Sequence, residues 1–365
     1  MRTLLIATLC ALVCAGLGPG CDCRGRRAGE DAGAAELVRT ERVEVPAATS
    51  VPPLQLDQPR VGPVRLLAAG AAPRRVFRYR PGTGTQHLYI EADLEGREHP
   101  GRDAGWSPRV RLPALTYGLA LTPGSAGEPM SVRGLDFEVG PDRAGTGPAA
   151  TEPGRDAAGP DAPTAVAGRM AAAMQARYAA QVQGRRASAV IAERGLLERL
   201  VADPAAAPAP GPDTHIEMQQ ILVQSLVPLP EQPIGVGARW HVSMLVQRGA
   251  AVVEHNGVYE LIAIEGSAEA APAELRLRVR AELSQDGEPQ RASAQGLPAG
   301  VRAELVALTW RAHGELVLSP AAFTPSAGEL AVDYLVHSRL IQGARQREVL
   351  LESTGTVRLR TAVSP

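Results

Sequence analysis

The chain has 365 residues and a formal net charge of −1 at pH 7, from 38 basic and 39 acidic residues. Every basic residue is arginine and only 3% of residues are aromatic, so no basic footprint marks a nucleic-acid surface, and the core must be built from Val, Leu, Ile and Ala. The four cysteines, Cys10, Cys14, Cys21 and Cys23, all lie at the N-terminus, which leaves the body with no disulfide framework, thiolate metal site or cysteine nucleophile.

Arg2 and the apolar run Leu4–Leu17 have the charge and length of an export signal, and the run is short for a bilayer span. Small residues, Gly18-Pro19-Gly20, then lead to Cys21. This arrangement resembles a bacterial lipoprotein signal peptide. The resemblance implies removal of residues 1–20 and lipidation of Cys21, with the protein anchored to a membrane. Gly18 stands where that pattern usually carries leucine. Ordinary cleavage nearby, giving a soluble exported protein, and a retained anchor therefore stay as alternatives. Residues 21–60 read as a flexible tether, with Pro46, Pro52, Pro53 and Pro59 and no sustained apolar period.

From Val61 the pattern becomes β. Strands are expected at Arg74–Arg80, Thr85–Leu94, Arg109–Leu121 and Met130–Val139, separated by Gly/Pro turns. Connections this short join antiparallel neighbours. Residues 140–163 read as a loop. Thr164–Gln183 predicts a helix, because Val166, Met170, Met174 and Tyr178 recur every four residues and Gly184 stands at its end. That stripe either lines a ligand site or packs on the sheet. Arg186–Glu193 and Leu196–Val201 form a hairpin turned at Arg194-Gly195. After a Pro/Ala-rich loop at 203–213, a second helix starts at Thr214 and stops before Pro228.

A long hairpin follows, Arg239–Gln247 against Ala251–Ile264. With Arg248-Gly249 as its turn, Trp240 opposes Gly257, Val242 opposes His255, and Met244 opposes Val253. Trp240, Val242, Met244 and Val246 then share a face with Val253, Tyr259, Leu261 and Ala263. Trp240 reads as a core anchor or as a pocket wall. Leu275, Leu277, Val279, Ala281 and Leu283 alternate with Arg276, Arg278 and Arg280. One face is buried, and the arginine row is a solvated face or a contact for anionic lipid headgroups. Val301–Leu318 changes phase near Leu305, which predicts a bulge or a short helical turn. Leu330, Val332, Tyr334, Val336 and Leu340 alternate again, Gln342-Gly343-Ala344 turns the chain, and Val349, Leu351, Val357 and Leu359 lie on a last strand.

The expected fold is α+β, mainly β: a large curved antiparallel sheet, open and half-barrel-like, with two helices packed on it. Residues 61–365 are read as a single domain, with two halves joined near 204–212 as the alternative. No nucleophile elbow, zinc helix, phosphate loop or dinucleotide fingerprint is present in the sequence. Of the seven histidines, His241 and His255 lie on adjacent strands, but the hairpin register points them to opposite faces, which argues against a metal site. No catalytic residue, metal ligand or cofactor is assigned.

The stretch Leu229–Trp240, LPEQPIGVGARW, resembles the proline, glycine, then tryptophan approach to a hairpin in a family of uncharacterised exported bacterial lipoproteins typical of GC-rich, myxobacteria-like genomes. The resemblance covers Thr164 to the end. It implies location in the cell envelope, facing the periplasm or the cell surface, and an α+β body. The expected function is that of a non-enzymatic envelope lipoprotein. Its partners would be the membrane, through the lipid anchor, and an apolar ligand or an envelope protein, with no nucleic acid. The alternative is a structural or assembly module with a filled core and no ligand.

Overall fold

The computed structural model describes residues 60–99, 105–124, 128–136, 138–139, 172, 175–176, 178–179, 182–205, 214–248, 251–266, 274–287, 290–292 and 301–364. The signal segment, nearly all of the tether, the 140–163 loop and Cys21 lie outside them, as does most of 203–213.

Short strands open the described chain: β1 (Arg60–Val61) and β2 (Arg65–Ala69). Long β3 (Thr85–His99) follows, then β4 (Val110–Arg111), β5 (Leu115–Thr122), β6 (Met130–Gly134) and β7 (Glu138–Val139). The hairpin β8 (Arg186–Ile191) and β9 (Leu197–Ala202) precedes helix α1 (Thr214–Ser225). The second half runs through β10 (Ala238–Arg248), β11 (Ala251–Glu265), β12 (Arg276–Gly287), β13 (Gln290–Ala292), β14 (Val301–Leu318), β15 (Ala327–Gln342) and β16 (Arg345–Ser364). All join one 16-stranded antiparallel sheet whose main path is β1-β10-β11-β12-β14-β15-β16-β3-β5-β6-β8-β9. The sheet curls until it is nearly closed into a barrel with one seam. The decisive join is β16 on β3, from Leu350 against His99 to Ser364 against Thr85.

The seam falls between β9 and the short strands β1 and β2 that edge β10, and α1 packs against β9 and β10. Met218, Leu222 and Val223 are all buried, so the helix is covered on more than one side. Backbone bonds stitch the same region. The Leu229 N–H donates to the Arg194 carbonyl at 2.7 Å, and the Tyr79 N–H to the Glu193 carbonyl at 2.6 Å. The Tyr79 hydroxyl donates to the Val227 carbonyl at 2.9 Å. Trp240 is fully buried, and its indole N–H donates to the Pro228 carbonyl at 2.7 Å. It is a core anchor, which satisfies its one polar atom.

Several expectations need correction. Arg74–Arg80 is not a strand. Only Arg75 bridges, to Ile234, and the segment's other backbone bonds go to the turn at Glu193 and to Pro320. Phe77 and Tyr79 are buried there without a ladder. The hairpin pairs Trp240 with Tyr259, Val242 with Gly257, Met244 with His255 and Val246 with Val253. Arg248 pairs with Ala251, so the pairing runs one residue further along β10 than an Arg248-Gly249 turn allows. Sliding a two-residue turn by one position moves every partner by two, which preserves faces. Ala263 does change face, because a bulge between Leu261 and Ala263 sets it opposite outward-facing Arg278. The phase change near Leu305 is a register shift between Leu305 and Ala307, the bulge read from the sequence. Among the described residues α1 is the helix bounded at both ends. The expected helix Thr164–Gln183 lies mostly outside them, although Ala172, Gln175, Ala176, Tyr178 and Ala179 are helical.

Candidate functional site

Residues paired across neighbouring strands point to the same face of the sheet. One inward-facing row crosses β10, β11, β12, β14, β15, β16 and β3 as Met244, His255, Gln285, Trp310, Tyr334, Ser353 and Gly96. Met244, His255 and Gln285 are buried, whereas Trp310, Tyr334, Ser353 and Gly96 keep part of their surface in solvent. Leu94, Gly355 and Val357, beside them on the same face, are also partly exposed. The row on one side, Leu308, Val336, Leu351 and Glu98, is buried again. Two buried clusters thus flank this band: the main core and a smaller one of Val336, Val349 and Leu351. Tyr334 and Leu305 touch both. Solvent reaches the inner face of the sheet between them, and we call this band the recess.

A Cβ added to Gly96 would meet the Ser353 hydroxyl at 3.4 Å and the Glu352 carbonyl at 3.6 Å, ordinary contact distances. Gly355 differs, since a Cβ there would lie 2.1 Å from the Asp93 carbonyl. Gly355 serves close strand approach, while Gly96 would take a methyl group at contact distance.

Two polar features border the recess. The Gln285 amide nitrogen lies 3.2 Å from His255 Nδ1. The His255 ring stacks on Trp310 with centroids 6.1 Å apart. Beyond Gly96 on the same strand face stands Glu98, 7% exposed. Its Oε1 is buried and accepts no hydrogen bond. Burial pushes this carboxyl above the ordinary carboxylate range, and the Arg347 guanidinium, on the inner face at the end of β16, acts in the other direction. The strand is held there by Ser107, whose N–H donates to the Glu98 carbonyl at 2.7 Å and whose hydroxyl accepts from the Glu98 N–H at 2.8 Å.

The outer face is built for water. Arg278 pairs with Glu315 at 2.8 Å, Arg280 with Glu260 at 3.0 Å, and Arg360 with Glu91 at 3.2 Å. Arg358 pairs with Glu329 at 2.8 Å and Arg97 with Glu352 at 2.7 Å. Arginines in mid-strand positions facing hydrocarbon would each cost about 2–4 kcal/mol. The arginine row of β12 is thus a solvated face with its charges matched across strands.

His241 and His255 point to opposite faces, as the hairpin parity requires. His241 lies 3.2 Å from the Asn256 carboxamide, and His255 is fully buried. Tyr178, from the expected Met and Tyr stripe, is buried against the sheet. The recess itself was not foreseen. Its signal was in the sequence: Leu94, Gly96 and Glu98 continue the phase of Leu88, Ile90 and Ala92 past the expected end of the strand. No protein-family model matches the chain, and no curated protein matches it in sequence.

Proposed function

We propose that this chain is an exported, lipid-anchored cell-envelope protein without enzymatic activity that holds an apolar ligand in the recess of its sheet. The observation that carries the binding reading is the partial exposure of inward-facing Trp310 and Tyr334 between two buried clusters, beside a glycine, Gly96, that is itself partly exposed. Aromatic walls with a few polar groups at the margin are the usual makings of a small-molecule site. Export and anchoring at Cys21 rest on the N-terminal pattern and on the resemblance to exported lipoproteins.

The test is solvent extraction of the full chain purified from an exporting host, with mass spectrometry of the extract. A stoichiometric apolar compound, lost in Gly96→Leu, supports the reading. A clean extract from folded, monodisperse protein overturns it in favour of an assembly module with a filled core. The dense packing around α1 is what favours that second reading.

A further inference from the structure

We infer that Glu98 is the polar anchor of the recess, and that its occupant is an amphiphile whose head donates a hydrogen bond, a hydroxyl or an ammonium, rather than an anionic head. This inference rests on the recess reading and adds the class of ligand to it. Glu98 and Gly96 share the inner face of β3, about 7 Å apart along the strand. Glu98 is therefore one step along the inner face from Gly96, in line with the buried apolar row of Leu351, Val336 and Leu308.

A carboxyl in such surroundings is normally satisfied. Glu98 Oε1 is buried and has no hydrogen-bond partner. Leaving an acceptor unpaired away from water is costly, so a donor brought by a ligand offsets that cost. The tail of the same ligand lies against Trp310 and Tyr334, where inward-facing apolar surface meets solvent. A second negative charge beside the carboxyl would be repelled. The Arg347 guanidinium acts in the other direction, which makes an anionic head the clear competing outcome.

The experiment is calorimetric titration of the full chain with dodecylamine, dodecanol and dodecanoate, each below its micelle-forming concentration. Dodecylamine and dodecanol are expected to bind at least about tenfold more tightly than dodecanoate. Glu98→Gln is expected to lower dodecylamine affinity about tenfold while dodecanol, which can still donate to the amide oxygen, is nearly unchanged. Dodecanoate binding as tightly as the other two, or a dodecylamine affinity that is unchanged in Glu98→Gln, overturns the anchor and leaves the recess standing. Failure of all three to bind folded wild-type protein removes both. Arg347→Met is the second variant, should the Glu98→Gln protein not fold: it leaves the carboxyl in place and is expected to widen the preference for dodecylamine over dodecanoate. A narrowed preference would count against Glu98.

Discussion

The Tyr178 hydroxyl donates to the Gly118 carbonyl at 2.6 Å and accepts from the Gly118 N–H at 3.1 Å. It thereby occupies the edge of β5 where β6 has ended; the neighbouring Leu135 N–H also reaches the Gly118 carbonyl, at 3.0 Å. A side chain here does the work of a missing stretch of strand. Burial in this position pushes the phenol well above its ordinary range, so it stays protonated and keeps its donor.

Tyr178→Phe is expected to destabilise the fold by about 1–3 kcal/mol, because the Gly118 N–H loses its partner in a buried position. Urea unfolding checks this. A change below the error of the method would show that water or a shift of the strand replaces the hydroxyl.

Two glycines on the inner face should respond differently to alanine. At Gly257 a Cβ would lie 2.7 Å from the ring of Tyr259, which covers the glycine and also stacks on Trp240 at 5.6 Å. Gly257→Ala is expected to cost about 1–3 kcal/mol through overpacking. Gly96→Ala meets only ordinary contacts and is expected to lie within about 0.5 kcal/mol of wild type. Thermal unfolding of the two variants side by side decides. In a double-mutant cycle, Tyr259→Leu should absorb part of the Gly257→Ala penalty.

Glu98 gives a prediction with a defined sign. Its folded-state pKa is raised, chiefly by burial. The contribution to stability is present below the unfolded value of about 4.3 and is lost as pH rises through the folded value. Glu98→Gln should therefore match wild type in acid and become the more stable protein towards neutral pH, by on the order of 1 kcal/mol. Chemical denaturation at a series of pH values measures the gap. A gap that closes with rising pH would contradict the assignment.

Charges on the outer face should matter little one at a time. Arg278 and Glu315 are each nearly half exposed, and exposed pairs are worth about 0–1 kcal/mol. Arg278→Ala is expected to move the unfolding midpoint only slightly, with the difference shrinking at high salt. A loss of several kcal/mol would mean that the outer ion pairs act as a network.

The periodicity of two carried much of this fold into the sequence. It told inward from outward residues on β12 and β15, and its break near Leu305 marked the bulge before any partner strand was known. It also misled. Val76 and Arg78 alternating with Phe77 and Tyr79 look like a strand, yet the flanking Pro73 and Pro81 leave this segment tied by isolated bonds. The position of a two-residue turn is not set by alternation, so the β10–β11 register was off by two while its faces stayed right. Bending into a near-barrel was not legible, because it depends on β16 meeting a strand more than two hundred residues earlier. The recess was missed for a related reason. Glu98 only becomes unusual once Leu351 and Val336 are placed beside it.

The pairing of β16 with β3 also has a consequence in time. On the ribosome, β3 is made early and its partner on one side comes only with the 20 residues of β16. Until then β3 and β15 each present a long unpaired edge, of 15 and 16 residues, able to recruit strands from other chains. Two of the three longest ladders of the sheet are therefore its last to form, and a nascent or truncated chain is at its most adhesive just before completion.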